Sequence, residues 1–358
     1  MLNNFKISKT NNSRLPQLDF DNIPFGKVFS DHMFVADYIN GEWTNMEILP
    51  FGNFEVHPAC LALHYGQSIF EGMKATVDLN GQPLFFRPEM HIQRLNNSAA
   101  RMCMPAVPDE MFHAAIHQLV SMDKDWIPPA TGSALYLRPF MFGNGETIGV
   151  KASDTYKFII FTGPVGPYYT KPVKLWVESE YVRAAKGGIG EAKASGNYAA
   201  SLLPAQKAVA AGYDQILWLD AKEFKYVQEV GTMNIFFVID GKVITPITDG
   251  AILKGITRNT VMTILSDKGY EVEERLIEID EIVKAHKEGR LTECFGTGTA
   301  AVISHVAEIT YGDTKMILPP VEDRKVAAFA KSEIEGLRNG TIPDARDWIV
   351  PVKELVKV

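Results

Sequence analysis

The decapeptide GPVGPYYTKP, Gly163–Pro172, lies mid-chain and carries two glycines and three prolines. Such a tract interrupts both helix and strand. It is the candidate linker between two halves that each mix helix and strand signals. Before it, PEMHIQRLNNSAARMCM (Pro88–Met104) opens with proline and sets Ile92, Leu95, Ala99 and Met102 at helical spacing. PDEMFHAAIHQLVSM (Pro108–Met122) reads the same way, while ALYLRPFMF and KFIIFTG read as strands. After it come strands VKLWV, QILWL, NIFFVI and KVITP, a helix from about Tyr198 to Ala211, and helices TRNTVMTILSDKG and RKVAAFAKSEIEGL. ECFGTGTAAVISHV reads as strand, turn, strand. Both halves are α/β or α+β, with the sheet order left open. The 358 residues suit two domains or one large one. The expected division is a smaller N-terminal domain over 1–165, with 1–25 loose, a loop over 166–173 and a larger C-terminal domain over 174–358.

Composition narrows the function. At 46% hydrophobic and 22% charged, the chain is an ordinary soluble globular protein. A net charge of -7 gives nucleic acid no electrostatic support. Cys60, Cys103 and Cys294 are far apart and form no CxxC, which fits a reducing compartment rather than a disulfide or zinc framework. The N-terminus lacks an apolar signal region, and no run reaches the roughly 18 apolar residues of a membrane span. A cytoplasmic protein is expected.

Four stretches offer chemistry. GEAKASGNYAAS, Gly190–Ser201, places Lys193 among small residues that would let a flat ring approach. A lysine amine forms imines with carbonyls, although a solvated lysine is the commoner explanation of such a residue. In QEVGTMNIFFV, Glu229 precedes a buried-type strand, where a carboxylate can pair with a ring N–H⁺ or simply face water. In LKGITRNTV a glycine turn leads into a helix, with Thr257 a candidate N-cap and the helix start a candidate phosphate site or a plain cap. In FGTGTAAV, Gly296, Gly298 and Ala301 fit G-x-G-x-x-A, but AVISHVAEITYG follows and reads as strand, so the dinucleotide fingerprint is rejected. The turn still offers donors to an anion. His113 and His117 stand four apart without the glutamate of H-E-x-x-H, and no third ligand is near in sequence. No metal is expected, and no G-x-S-x-G elbow is present.

Taken together, LHYGQSIFEGMKA, FFRPEMHIQRLNNSA, LYLRPFMFGN, GPVGPYY, KASGNYAAS, EVGTMNIFF, ILKGITR and FGTGTAAV resemble, in order, the branched-chain amino-acid aminotransferases. These are class IV, fold type IV enzymes of pyridoxal 5'-phosphate (PLP). The resemblance runs from about Pro50 onward. It implies a two-domain D-amino-acid-aminotransferase-like fold with the cofactor in the cleft between the domains. Lys193 would hold PLP as a Schiff base and then act as general base. Glu229 would keep the pyridine nitrogen protonated, Tyr198 would bond the ring's O3′, and Thr232 would lie beside the cofactor. Arg94 would grip the phosphate, with backbone N–H groups of Ile256 and Thr257 and the hydroxyls of Thr257 and Thr299. Tyr65, Phe70, Tyr136 and Tyr168 would wall the side-chain pocket, Tyr65 coming from a second subunit. Arg138 would receive glutamate's distal carboxylate, and the N–H groups of Thr299 and Ala300 the α-carboxylate.

The implied reaction moves an amino group between L-leucine, L-isoleucine or L-valine and 2-oxoglutarate, giving glutamate and branched 2-oxo acids, in a homodimer or larger assembly. The alternative is another class IV enzyme, a D-amino-acid transaminase or an aminodeoxychorismate lyase. Some animal members of the family carry a CxxC after the GTA turn. Here those positions are Ala301 and Ser304, so that thiol switch is absent.

Overall fold

The computed structural model describes residues 6–167 and 171–355. The chain divides into two compact units. One comprises Met1–Tyr168, Ala192–Gly196 and Glu335–Val358; the other comprises Tyr169–Glu191 and Asn197–Ile334. Lys193 thus groups by its contacts with the first unit.

The first unit holds a nine-stranded sheet among the described residues. From edge to edge its strands are Lys6–Ile7, Glu42–Pro50, His32–Ile39, Tyr156–Val165, Ala134–Gly143, Met73–Val77, Pro83–Phe86 and Ile349–Pro351, with Ser68–Phe70 beside Ala134–Gly143. All pairs are antiparallel except the parallel edge pair of Lys6–Ile7 with Glu42–Pro50. Strand Ala134–Gly143 alternates, burying Leu135 and Leu137 while Tyr136 and Arg138 stay half-buried on the other face. That period places the two polar-tipped residues side by side. Helix Pro88–Arg101 starts with Pro88, whose missing N–H costs nothing in the first turn. Its Ile92, Leu95 and Ala99 are buried, as their spacing predicts.

The second unit holds another nine-stranded sheet, again among the described residues. Its order is Val227–Val230, Gln215–Leu219, Val173–Glu178, Val302–Tyr311, Leu291–Gly298, Asn234–Ile239, Lys242–Pro246 and Val272–Arg275, with Thr314–Ile317 beside Val302–Tyr311. Parallel and antiparallel pairs mix. Every residue of Asn234–Ile239 is buried, which explains why the run Ile235–Ile239 is apolar throughout rather than alternating. Helices Ile256–Asp267 and Ile279–Lys287, and Lys325–Asn339 as far as Ile334, complete the pattern. The carboxylate of buried Glu293 accepts the N–H groups of Val326 and Ala327 at 2.9 Å each, so it caps the last of these helices.

Three local expectations change. The helix over Tyr198–Ala211 is two helices, Ser195–Ala200 and Leu202–Ala210. Pro204 has no N–H for the Ala200 carbonyl and its ring crowds that carbonyl, so the first helix stops there. Gly163–Val165 do not begin a linker; they finish strand Tyr156–Val165, pairing with residues 134–136. A Cβ on Gly163 would lie 2.3 Å from the Val28 carbonyl oxygen, so close backbone approach, not a turn, demands this glycine. Thr257 is not the N-cap of its helix. Gly255 is, and Thr257 is buried in the first turn.

The hairpin His32–Ile39 and Glu42–Pro50 is an addition to the sequence reading. Its turn is Asn40–Gly41, φ 54° and 86°, the Asn-Gly signal for a two-residue connection. Asp240–Gly241, φ 53° and 79°, joins Asn234–Ile239 to Lys242–Pro246 in the same way.

Candidate active site

In the first unit, Lys193 is half-buried between buried Ala192 and Ala194. Its N–H donates to Ser98 Oγ at 2.9 Å, and its carbonyl accepts the N–H of Phe70 at 3.0 Å. Ala194 bridges to Ile69, and Ser195 Oγ meets Ser68 Oγ at 3.2 Å. The small flanking residues therefore let this segment lie directly on strand Ser68–Phe70. The Lys193 ammonium stands 4.7 Å from the Phe70 ring centroid, and the Arg138 guanidinium carbon stands 4.8 Å from the same ring. One aromatic ring thus faces two cations.

Arg138 Nη2 donates to Tyr136 Oη at 3.3 Å, while Arg138 Nε is buried without a partner among the described residues. Such an orphaned donor is costly unless a ligand completes it. Both residues line a cavity of about 200 Å³ with Phe25, Val28, Phe161 and Val165. Tyr65 ends the short helix Leu61–Tyr65 and is 39% exposed. Tyr168 lies outside the described residues.

Arg94, on helix Pro88–Arg101, is held by Glu71. Nε donates to Oε1 at 2.6 Å and Nη2 to Oε2 at 2.8 Å. His91 Nδ1, one turn earlier, lies 2.9 Å from Glu71 Oε2; a carboxylate only accepts here, so Nδ1 carries the proton. Full burial alone would raise the Glu71 pKa. The charge of Arg94 and the bonds from Arg94 and His91 outweigh it and hold the carboxyl far below the usual carboxylate range.

In the second unit, Glu229 is buried at 5% exposure on strand Val227–Val230. Its Oε1 meets Arg183 Nη2 at 2.6 Å and accepts the Leu253 N–H at 3.2 Å. Arg183 also donates to the carbonyls of Gly190, at 2.9 Å, and Ala251. A Cβ on Gly190 would sit 2.3 Å from the Ala251 carbonyl oxygen. Helix Ile256–Asp267 begins after Gly255 with no side-chain cap, and Ile256 and Thr257 supply N–H groups to its first turn. A Cβ on Gly255 would lie 1.9 Å from Asn234 Oδ1. Asn234 Nδ2 in turn donates to the Leu253 carbonyl at 2.9 Å. Thr232 is exposed in the turn before Asn234–Ile239. Half-buried Thr299 and Ala300 form the turn after Leu291–Gly298, and half-buried Tyr198 lies on Ser195–Ala200.

The first unit therefore gathers Lys193, Arg94, Phe70, Tyr136 and Arg138. The second carries Tyr198, Glu229, Thr232, Ile256, Thr257, Thr299 and Ala300. Sequence reasoning missed Glu71, His91, Arg183 and Phe25. Glu71 lay inside a quoted motif, but nothing local linked it to Arg94, 23 residues away. His113 and His117 stack at 6.2 Å, and His117 Nδ1 accepts the N–H of Lys353 at 3.1 Å.

Each unit carries groups that suit an anionic, ring-bearing cofactor: the first an arginine fork and a lysine against an aromatic ring, the second a helix start left open by glycine and a buried carboxylate. A family model described as amino-transferase class IV matches residues 68–309. The chain is 46% identical over 349 residues, 96% of each chain, to branched-chain-amino-acid aminotransferase 2 of Bacillus subtilis. It is 47% identical over 333 residues to a probable branched-chain-amino-acid aminotransferase of Staphylococcus aureus, spanning 92% of this chain and 93% of that one. The crystal structure of the Escherichia coli branched-chain amino acid aminotransferase overlays with a TM-score of 0.72 at 28% identity, over 90% of this chain and 99% of that one. The T.th. branched-chain amino acid aminotransferase, complexed with N-(5'-phosphopyridoxyl)-L-glutamate, gives 0.71 at 28% identity, over 89% and 98%. This chain belongs to the class IV aminotransferase family. Within it, these relatives favour the branched-chain type over a D-amino-acid transaminase or a lyase.

Proposed function

We propose that the chain is a PLP-dependent transaminase moving the amino group between L-leucine, L-isoleucine or L-valine and 2-oxoglutarate. The observation that carries this is the 46% identity over 96% of both lengths to a relative of that name. The site agrees in kind: a lysine amine, a buried carboxylate, an arginine fork and a glycine-opened helix start.

When bound, PLP supplies an electron sink for charge developing at the substrate Cα. The chain's residues do the rest. Lys193 would hold the cofactor through Nζ, and its amine would move the proton at the substrate Cα. Glu229, oriented by Arg183 and the Leu253 N–H, keeps the pyridine nitrogen protonated. Tyr198 would donate to O3′, and Thr232 would lie beside the cofactor. Arg94, the N–H groups of Ile256 and Thr257, and the Thr257 and Thr299 hydroxyls take the phosphate. Phe70 and Tyr136 would form apolar walls, a role the resemblance also gives Tyr168 and, from a second copy, Tyr65. Arg138 receives a distal carboxylate and the Thr299 and Ala300 N–H groups the α-carboxylate. Aromatic walls with one orphaned guanidinium donor suit a pocket that must accept both leucine and glutamate. A homodimer or larger assembly in the cytoplasm completes the reading.

The absorption spectrum of the purified protein tests it. A yellow band that moves to shorter wavelength with L-leucine and returns with 2-oxoglutarate is expected. A yellow band indifferent to L-leucine but responsive to D-amino acids would overturn the substrate assignment. Lys193→Ala should lower turnover by at least about 10³-fold, since it removes the acid–base group.

A further inference from the structure

The carboxylate of Glu71 has no part in the chemistry above, yet it is the most enclosed charged group near it, at 0% exposure. It takes two of Arg94's five N–H donors, through Nε and Nη2, and a third bond from His91. A two-point fork fixes the plane of a guanidinium, which a single bond does not. Arg94 projects from a helix, and its long stem would otherwise sample several rotamers. The bonds from Arg94 and His91 hold the Glu71 carboxylate in place, and the next residue's N–H, Gly72, also meets Oε2 at 3.1 Å.

We propose that Glu71 is a positioning residue for the cofactor's phosphate: it locks the Arg94 guanidinium by the Nε–Nη2 edge, so that the N–H groups outside that edge are presented in one fixed direction to the phosphate. This rests on the reading of Arg94 as a phosphate group. Charge acts in the opposite sense. A carboxylate so close to Arg94 offsets its charge, and by that effect alone would weaken its hold on a phosphate. The proposal is that geometry outweighs charge, because both groups are already enclosed and the pair is paid for whether or not phosphate is bound.

Titrating the cofactor-free full-length chain with PLP and with pyridoxal, which lacks the phosphate, separates these effects. Glu71→Gln should weaken PLP binding about tenfold or more, with pyridoxal affinity unchanged. Glu71→Asp keeps the buried charge but withdraws it by one methylene. It too should weaken PLP and spare pyridoxal, and it serves as the test if Glu71→Gln fails to fold. In Arg94→Met, adding Glu71→Gln should cost PLP nothing further. Equal losses for both ligands would make Glu71 a merely structural residue and overturn the proposal. Unchanged or tighter PLP binding in Glu71→Asp and Glu71→Gln would overturn it in favour of charge. If Arg94→Met itself retains PLP like the parent, the phosphate reading of Arg94 fails, and the proposal with it.

Discussion

Gly72 sits where one added methyl would meet the Tyr136 hydroxyl at 1.9 Å and its ring carbon at 2.8 Å. Both atoms lie on the axis about which the ring turns, so relief requires the whole Tyr136 side chain to swing away, which pulls its hydroxyl from the 3.3 Å bond with Arg138. Gly72→Ala should therefore cost about 1–3 kcal/mol of stability as an overpacking change. It should also raise KM for glutamate more than for leucine, because Arg138 loses its support. Steady-state kinetics with both substrates checks this, and equal KM changes would detach Tyr136 from Arg138. At this scale the sequence was legible where a residue type is unusual for its surroundings. Lys193 among small residues and Glu229 before an apolar strand drew notice, although each alone has a commoner solvated explanation and only the set of motifs in order gave them roles. Glu71 and Arg183 drew none, because a partner's identity is set by packing between segments distant in sequence.

Among the elements, strand Ile349–Pro351 is half-buried at Ile349 and Val350 and lies next to a titratable contact. It covers the edge strand Pro83–Phe86. Trp348 packs under the guanidinium groups of Arg87, at 4.4 Å, and Arg346, at 5.1 Å. Just beyond the strand, Lys353 donates its N–H to His117 Nδ1. Burial, with the nearby charges of His113 and Lys353, pushes the His117 pKa down to about 4. The unfolded chain takes up this proton near pH 6.5. Between those values the unfolded state binds more protons, so stability falls as pH drops from about 6.5 towards 4. Protonation also turns Nδ1 into a donor and ends the bond to Lys353. Denaturation at pH 7 and pH 5 should show this loss, smaller in His117→Leu. His305, also pushed down to about 4, adds to the slope in both proteins. An identical pH dependence in the variant would exclude His117 as a source. The strand itself is too short to read from sequence. By contrast the Asn40–Gly41 hairpin was readable, and the periodic helices 88–101 and 109–122 were read, because their signals are local.

For the whole molecule, the resemblance implies a homodimer or larger but leaves its size open, because no pattern within one chain reports the symmetry of its copies. The surface nevertheless carries a pointer. Leu63 is 69% exposed, Ile148 76% and Val150 89%. Their segments meet through the Leu61 N–H, which donates to the Gly145 carbonyl at 3.2 Å, and through the bridge from Cys60 to Glu146. Tyr65, at 39% exposure, ends the same short helix. Water-facing apolar side chains on adjoining segments cost free energy that a second copy can recover. The net charge of -7 opposes association only over a Debye length of about 8 Å at physiological salt. Sedimentation should therefore give twice the 39.8 kDa chain mass, or a higher multiple. Ile148→Asp with Val150→Asp places two carboxylates on this surface and should shift the protein towards the single-chain mass. If Tyr65 completes the pocket of a second copy, activity in this variant should fall on dilution and return on concentration. A parent protein that sediments as one chain at micromolar concentration with full activity would remove Tyr65 from the pocket and leave the exposed residues without that role.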